Sequence, residues 1–544
     1  MLLKSTYPPL DIPETNILSY IFPPGQTPSD KPIWIDVKNP APSLSPRQAL
    51  VWIKRLGSLL DYLSIQKGEA VMILTPNHIF VPVAYLGITG AGRVFSGANP
   101  VYTATEVEYQ IRNTGTRLIL AHPSLAQTAV EAGRRAGIQK DRIYLFSDHE
   151  CESFGGLIDW RTASVDPDFT WDPMGSASKT ALATINYSSG TTGLPKGVCV
   201  SHFNIVANSE QTIFMRNLET SQQDERWLGF LPLYHAYGQL YACVMAPKLL
   251  IPIYVMQKFQ YEDFLQSIQH FRITHLQIAP PILVMLDKRP ETSRYDLSSI
   301  NNILCGAAPL SKQLQTSISR IYNVVIIQGW GMTEVTCGAI HVPGGLKDDS
   351  GSVGLLHPNC ECKLVDDVGN LVGPGQPGEI LIRGPQVCLG YWKNEMATKE
   401  AIDREGWLKT GDIAIVKDNW FWIVDRKKEL IKVNALQVAP AELEAILLQN
   451  DHVADAAVVG IMLGGEEWPR AYIALKEDSK GEIMPEELQQ WIKERVAKHK
   501  QLVGGVQFVD EVPKLASGKI QRKVLREWAK RDAKEIEGGL DAKL

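Results

Sequence analysis

Several things are scarce in this sequence, and each scarcity excludes something. The eight cysteines, at 151, 199, 243, 305, 337, 360, 362 and 388, form no CxxC pair and no dense framework. That argues against structural zinc and disulfide stapling and fits a reducing, intracellular compartment. Basic residues do not outnumber acidic ones: 55 Lys and Arg stand against 60 Asp and Glu, a net charge of −5. The broad basic face of a nucleic-acid binder is therefore missing, and no nucleic-acid partner is expected. Long apolar runs are missing too. Residues 276–286 supply about half of the ~20 residues a membrane helix needs, and 240–256 is broken by Lys248 and prolines. No membrane span is expected. The first twenty residues carry Lys4, prolines and acids without an apolar segment leading to small residues, so no secretory signal is read there. Internal repeats and low-complexity segments are absent as well. What is present is 544 residues, 44% hydrophobic and 21% charged. That is the balance of a soluble globular protein, long enough for a large core and at least one satellite unit.

Short β-branched runs alternate with helical patterns through the first two thirds. Strands are expected at Ala70–Thr75, Arg117–Ala121, Ile143–Phe146, Ala181–Tyr187, His275–Ala279, Asn302–Cys305 and Val324–Gln328. Strands separated by helices imply an α/β fold with largely parallel sheets and helices on both faces. In such sheets ligands sit beyond the carboxyl ends of the strands. Three of those ends run into Gly-rich polar loops, at 188–197, 306–309 and 329–334. From Ser352 to Val424, Gly and Pro punctuate short alternating runs, which suggests a small antiparallel β unit. Beyond Arg426 a compact α+β piece follows, with amphipathic helices expected at Ala441–Leu448 and Pro485–His499. The boundary is placed near Asp425, giving a domain over 1–424, a hinge over 425–428 and a small mobile domain over 429–544.

The strongest chemical signal is Tyr187-Ser-Ser-Gly-Thr-Thr-Gly-Leu-Pro-Lys-Gly-Val198. Glycines let backbone N–H groups approach a phosphate, hydroxyls donate to it, and Lys196 adds a point charge. The NTPase P-loop is excluded, because Gly197 follows the lysine where Ser or Thr is needed.

This segment resembles the signature of the adenylate-forming superfamily of acyl-CoA synthetases, luciferases and adenylation domains. Six further segments follow in that family's order: Pro232-Leu-Tyr-His235, Gly306-Ala-Ala-Pro309, Gln328-Gly-Trp-Gly-Met-Thr-Glu334, Lys409-Thr-Gly-Asp412, Asp425-Arg-Lys-Lys-Glu-Leu-Ile-Lys432 and Pro513-Lys-Leu-Ala-Ser-Gly-Lys519. The likeness spans roughly residues 30–530 and is greatest to the 4-coumarate–CoA ligase-like branch, fungal type.

The resemblance implies an ATP-dependent acid–thiol ligase. Carboxylate and ATP give acyl-AMP and pyrophosphate, and coenzyme A then displaces AMP. It assigns ATP or AMP contacts to Ser188, Ser189, Gly190, Thr191, Thr192, Gly193, Lys196, Gly306, Ala307, Gln328, Gly329, Trp330, Gly331, Thr333, Asp412, Arg426 and Gln437. Glu334 is a hard oxygen ligand for Mg²⁺ held with substrate phosphates. Asp412 is suited to the ribose hydroxyls, and Trp330 stands where the family more often has Tyr. Catalytic roles fall to Lys519, which would neutralise charge at the carboxylate and α-phosphate, to His235, which would gate the carboxylate site, and to Lys432. The acyl pocket is expected from Tyr237, Ala279, Cys305 and Gly306. No Arg or Lys is assigned to its floor, which disfavours dicarboxylates and leaves aromatic and medium-chain acids open.

In the family the small domain rotates so that one site serves both half-reactions. Where relatives carry a glycine two residues before Gln437, this chain has Ala435, preceded by Asn434. Alanine adds a methyl there, which is costly if the site needs φ > 0. The alternative reading is thus an adenylating enzyme that hands its acyl group to a carrier-protein pantetheine or another acceptor. Finally, Ala542-Lys543-Leu544 resembles a peroxisomal import tripeptide. A peroxisomal location and an import receptor are expected on that basis, and a cytoplasmic one otherwise.

Overall fold

The computed structural model describes every residue except 152, 164–167, 189–194, 219–223, 434–435, 516–517 and 542–544, and for 537–541 the backbone alone. Five sheets organise the chain. A seven-stranded sheet has the order 390–391, 196–201, 182–188, 94–98, 70–74, 118–121, 143–145. It is parallel except for the pairings of 196–201 with 182–188 and with 390–391. An eight-stranded sheet runs 355–356, 340–341, 325–330, 302–305, 275–278, 227–229, 253–255, 34–36. It is parallel from 34–36 as far as 325–330 and antiparallel beyond. The expected α/β class with a smaller C-terminal unit is what the chain adopts.

Strands such as Ala70–Leu74 are buried on both faces, which is why they read as continuous apolar runs. Helices fill the space between the two large sheets. Pro46–Tyr62 opens on a Ser45–Gln48 capping box, and Val81–Gly90 is buried along its whole length. His202–Asn217 begins on a second capping box, Ser201–Asn204. Together with Gln239–Met245 these form the largest apolar core, shared with Val71, Phe95, Trp34 and Trp227 from the sheets on either side.

Residues 355–426 include four strands of a five-stranded antiparallel sheet, closed by the N-terminal strand Leu2–Lys4 against Glu361–Val365. Its last strand, Trp420–Arg426, pairs Asp412 directly with Arg426. After it comes the hairpin Ile431–Val433 and Leu436–Val438, then a three-stranded sheet of 453–463, 466–475 and 506–508 with a core of its own. The helix read over 485–499 stops at Lys493: Leu488 and Ile492 are its buried residues, Ala497 is extended, and Lys498–Lys500 forms one 3₁₀ turn. No helix of the described residues is long and apolar enough to cross a membrane.

Candidate active site

Two cavities meet beyond the carboxyl ends of the eight-stranded sheet. The larger, of about 600 Å³, is lined by Ala307–Ser311, Asp412, Arg426, Glu429 and the face of the small C-terminal unit that carries Lys514, Gly518 and Arg522. The smaller, of about 80 Å³, is walled by Tyr237, Tyr241, Leu304, Thr333, His341 and His357. Ala307, Gly329, Trp330, Gly331 and Lys519 line both. A compact apolar recess therefore opens into a wide polar cleft at a single junction, and a lysine stands in it.

Each wall has a local cause. The strand Val325–Trp330 ends by delivering Gly329 and Trp330 to the junction. At Gly331 a Cβ would overlap the Cys337 carbonyl, so only glycine lets the chain turn there. Ala307 holds φ +72° in the turn after Asn302–Cys305. A non-glycine residue pays strain for that conformation, and such strain clusters at ligand sites. Gln239–Met245 is wound as a π-helix directly after His235 and Tyr237. That widened turn places Leu240 and Tyr241 on the cavity.

The polar groups interlock. Trp330 donates its indole N–H to Asp412 Oδ2 at 2.8 Å, and Arg426 Nε stands 3.3 Å from Asp412 Oδ1. Burial pushes the Asp412 carboxyl up, against the pull of Arg426 and the Trp330 hydrogen bond. Burial, and then Arg426, push the Lys519 ammonium down, while Asp412, Glu334 and Glu429 draw it up. His235 lines the recess, and burial with help from Lys519 lowers it to about 4, so its imidazole is neutral at ordinary pH. Glu334 Oε1 accepts from the Tyr391 hydroxyl at 2.9 Å and from Ser188 Oγ at 3.4 Å, and Lys196 Nζ lies 4.9 Å from the Tyr391 ring centre. Ser188 pairs with Lys196 across the two strands, which sets the base of the Gly-rich loop. Ser189, Gly190, Thr191, Thr192 and Gly193 lie outside the described residues, as do Asn434, Ala435 and the C-terminal tripeptide. No group of three His, Cys, Asp or Glu among the described residues could hold a metal unaided. A single buried carboxylate, Glu334, does fit Mg²⁺, which takes one or two carboxylates and completes its shell with phosphate oxygens and water.

Several expected residues stand elsewhere. Cys305 does not line the recess: its side chain packs with Ile278, Leu310 and Ile326, and its neighbour Leu304 faces the cavity. Successive side chains of a strand take opposite faces, so one position decides. Gln328 is likewise turned away from the adjoining Gly329, and its amide donates to Gln315 Oε1 at 2.8 Å. Ala279 borders neither cavity. With Pro281 it lies under Gly518, supporting the Lys519 loop. Lys432 and Gln437 are directly paired on one face of the hairpin, exposed and outside both cavities, because Ile431, Val433 and Val438 take the inward positions. The residues brought together are Lys519, His235, Tyr237, Gly306, Ala307, Gly329, Trp330, Gly331 and Thr333, with Asp412 and Arg426 on the cleft side. Sequence reasoning missed the Trp330–Asp412 bond, Tyr391, Leu304, Tyr241 and the two histidines. The only signal was a histidine inside the apolar run Ala339-Ile-His-Val342, and another following Leu355-Leu356.

The chain is similar to known proteins over nearly its whole length. The profile described as AMP-binding enzyme matches residues 24–392, and that described as AMP-binding enzyme C-terminal domain matches 442–519. The chain is 35% identical over 540 residues to the phenylacetyl-CoA ligase epaB of Aspergillus niger, covering 96% of this chain and 98% of that protein. It is 35% identical over 546 residues to 4-coumarate-CoA ligase 1 of Narcissus pseudonarcissus, covering 96% of each. A benzoate CoA ligase structure from Burkholderia xenovorans superposes with a TM-score of 0.79 at 24% identity, covering 94% of this chain and 99% of that one, a likeness of fold.

Proposed function

Since this chain belongs to the AMP-binding enzyme family, in its 4-coumarate–CoA ligase-like branch, we propose that it is an ATP-dependent, AMP-forming acyl-CoA ligase acting on a compact, ring-bearing carboxylic acid. The observation that carries this reading is the shared junction: a small recess with aromatic walls opens into a polar cleft at Lys519. The acyl group lies in the recess and the nucleotide in the cleft. A carboxylate oxygen attacks the α-phosphorus, and pyrophosphate leaves with the bonding pair. Lys519 neutralises the charge that gathers on the carboxylate and phosphate oxygens. A field of this kind, set in place before reaction, is usually the largest single contribution to such a displacement. Asp412 keeps free lone pairs on both oxygens for the ribose hydroxyls while Trp330 and Arg426 hold it in place. Glu334 would hold Mg²⁺, which supplies charge neutralisation at the phosphates. The neutral His235 borders the carboxylate without adding a second cation beside Lys519.

In the second half-reaction the coenzyme A thiolate attacks the acyl carbonyl and AMP departs. Lys432 and Gln437 stand outside both cavities, so their part belongs to a rotated small domain, with residues 425–428 as the hinge. The recess is narrower than the expected small residues allowed, because Leu304, Tyr241 and the histidines close it. That favours a ring over a long chain. Peroxisomal import through Ala542-Lys543-Leu544 is proposed as well, and removing the three residues from a fluorescent fusion tests it.

The deciding experiment follows AMP release by the purified protein with ATP, Mg²⁺ and a panel of aromatic and C6–C12 acids, with and without coenzyme A. Coenzyme-A-dependent turnover of an aromatic acid is expected. Pyrophosphate exchange that coenzyme A leaves unaccelerated would instead mean another acceptor.

A further inference from the structure

The recess carries two histidines that the reaction does not use. His341 ends the short strand Ile340–His341, and His357 follows the strand Leu355–Leu356 that pairs with it. Both side chains are buried, at 4% and 1% exposure, and both line the recess. Their ring centres lie 5.9 Å apart at 41°. His341 Nε2 and both ring nitrogens of His357 have no hydrogen-bond partner among the described residues.

Buried polar groups are almost always paired, and each exception calls for a reason. Two other buried histidines differ from His357. His78 and His202 each leave one nitrogen unpaired, but the other accepts a backbone N–H, from Phe80 and from Ile17. Those two tie the chain together. His357 does so only through its backbone, its N–H donating to the Ala339 carbonyl at 2.9 Å. Its imidazole makes no hydrogen bond to any described part of the fold. Burial keeps both rings neutral, with His341 lowered to about 4. A neutral imidazole offers one N–H donor and one bare acceptor. The cation whose charge His341 feels, Arg216, is paired to Glu225.

Resting on the ligase reading, we propose that His341 and His357 form a specificity subsite for an uncharged hydrogen-bonding substituent, a hydroxyl above all, on the acyl group. A hydroxyl can donate to one imidazole and accept from the other. A bare ring leaves both unpaired, and a site built to bond a hydroxyl discriminates against the analogue that lacks it. The substrate class is therefore a hydroxylated aromatic acid and not its unsubstituted parent.

The test compares phenylacetate with 4-hydroxyphenylacetate, and cinnamate with 4-hydroxycinnamate, by kcat/KM for AMP release on the wild type, His357→Leu, His357→Asn and the double variant His341→Leu/His357→Leu. The wild type should favour the hydroxylated member of at least one pair by about tenfold or more. The ratio should fall to near one in the double variant and stay partly elevated in His357→Asn. The melting temperature of His357→Leu should not fall, since an unpaired buried polar group is removed. Equal use of both acids by the wild type, a preference that survives the double variant, or a His357→Leu protein that melts early with the ratio intact would each overturn the subsite. If no acid gives AMP, the ligase reading fails separately. Calorimetric binding of the same acid pairs to the wild type and the double variant then decides the subsite by the same ratio.

Discussion

Replacing Lys519 by alanine should separate the two half-reactions. The side chain lines both cavities, and its charge is felt by His235 on one side and by Asp412 and Glu334 on the other. A unit charge about 4 Å from a developing oxyanion is worth about 4 kcal/mol at an effective dielectric of 20. Loss of one such donor elsewhere costs about 2.7–4 kcal/mol. Arg426 remains at the site after the substitution and keeps part of the field. Adenylation, read as acid-dependent pyrophosphate exchange, should therefore fall about 10²–10³-fold. Thioester formation from synthetic acyl-AMP and coenzyme A should stay within about tenfold, because the charge that Lys519 offsets is then already settled on AMP. A second effect runs through His235. Lys519 is the lesser cause of its lowering and burial the greater, so the imidazole should move up from about 4 yet stay below its ordinary value. The acid limb of the remaining activity moves to higher pH with it. Equal losses in both half-reactions, or a loss in exchange below about fivefold, would refute the placement of Lys519 against the reacting groups.

Trp330→Phe keeps a ring at the junction and removes only the N–H that binds Asp412. A hydrogen bond to a charged group is worth about 1.5–3 kcal/mol, so the KM for ATP should rise about tenfold or more, and by more than the KM for the acid; an unchanged KM for ATP refutes the role. The protein should also lose stability in mild acid. His78, His202, His341 and His357 are buried and bind protons far less readily folded than unfolded, with His202 lowered to about 3 and His341 to about 4. Between the unfolded pKa near 6.5 and those values the unfolded chain holds more protons, so stability falls as pH falls. Each such group contributes about 1.4 kcal/mol per pH unit. The buried Asp425, raised to about 6, works in the opposite direction and offsets about one of them. Thermal melts should be flat from pH 8 to 7 and drop steeply from 6.5 to 5.5; a flat curve down to 5.5 would refute the burial argument.

What was legible in the sequence and what was not divide along a physical line. The nucleotide side is carried by loops at strand ends, each a local string of glycine, hydroxyl and charge. Gly306–Pro309, Gly329–Glu334 and the Lys519 turn could therefore be found one at a time, and they do converge. The strands behind them were legible to within a residue or two, but not which way each side chain points. Ile303, Leu304 and Cys305 are three apolar residues in a row, so they look alike as core residues, and nothing in the string says that Leu304 and not Cys305 meets the recess. Gln328 beside Gly329 is the same problem one strand over. The hairpin of Lys432 and Gln437 shows a different limit: its register is local, but where its outer face stands depends on the placement of a whole domain. The recess itself has no local pattern at all. It is assembled from a π-helical turn near Tyr241, a parallel strand at Leu304 and an antiparallel pair bearing His341 and His357. Chemistry shared by every member of a family can be written in short motifs, because ATP is the same molecule each time. Groups that choose among acids need only meet in space, which is why the two histidines with unpaired ring nitrogens became visible only once Ile340–His341 was seen beside Leu355–Leu356.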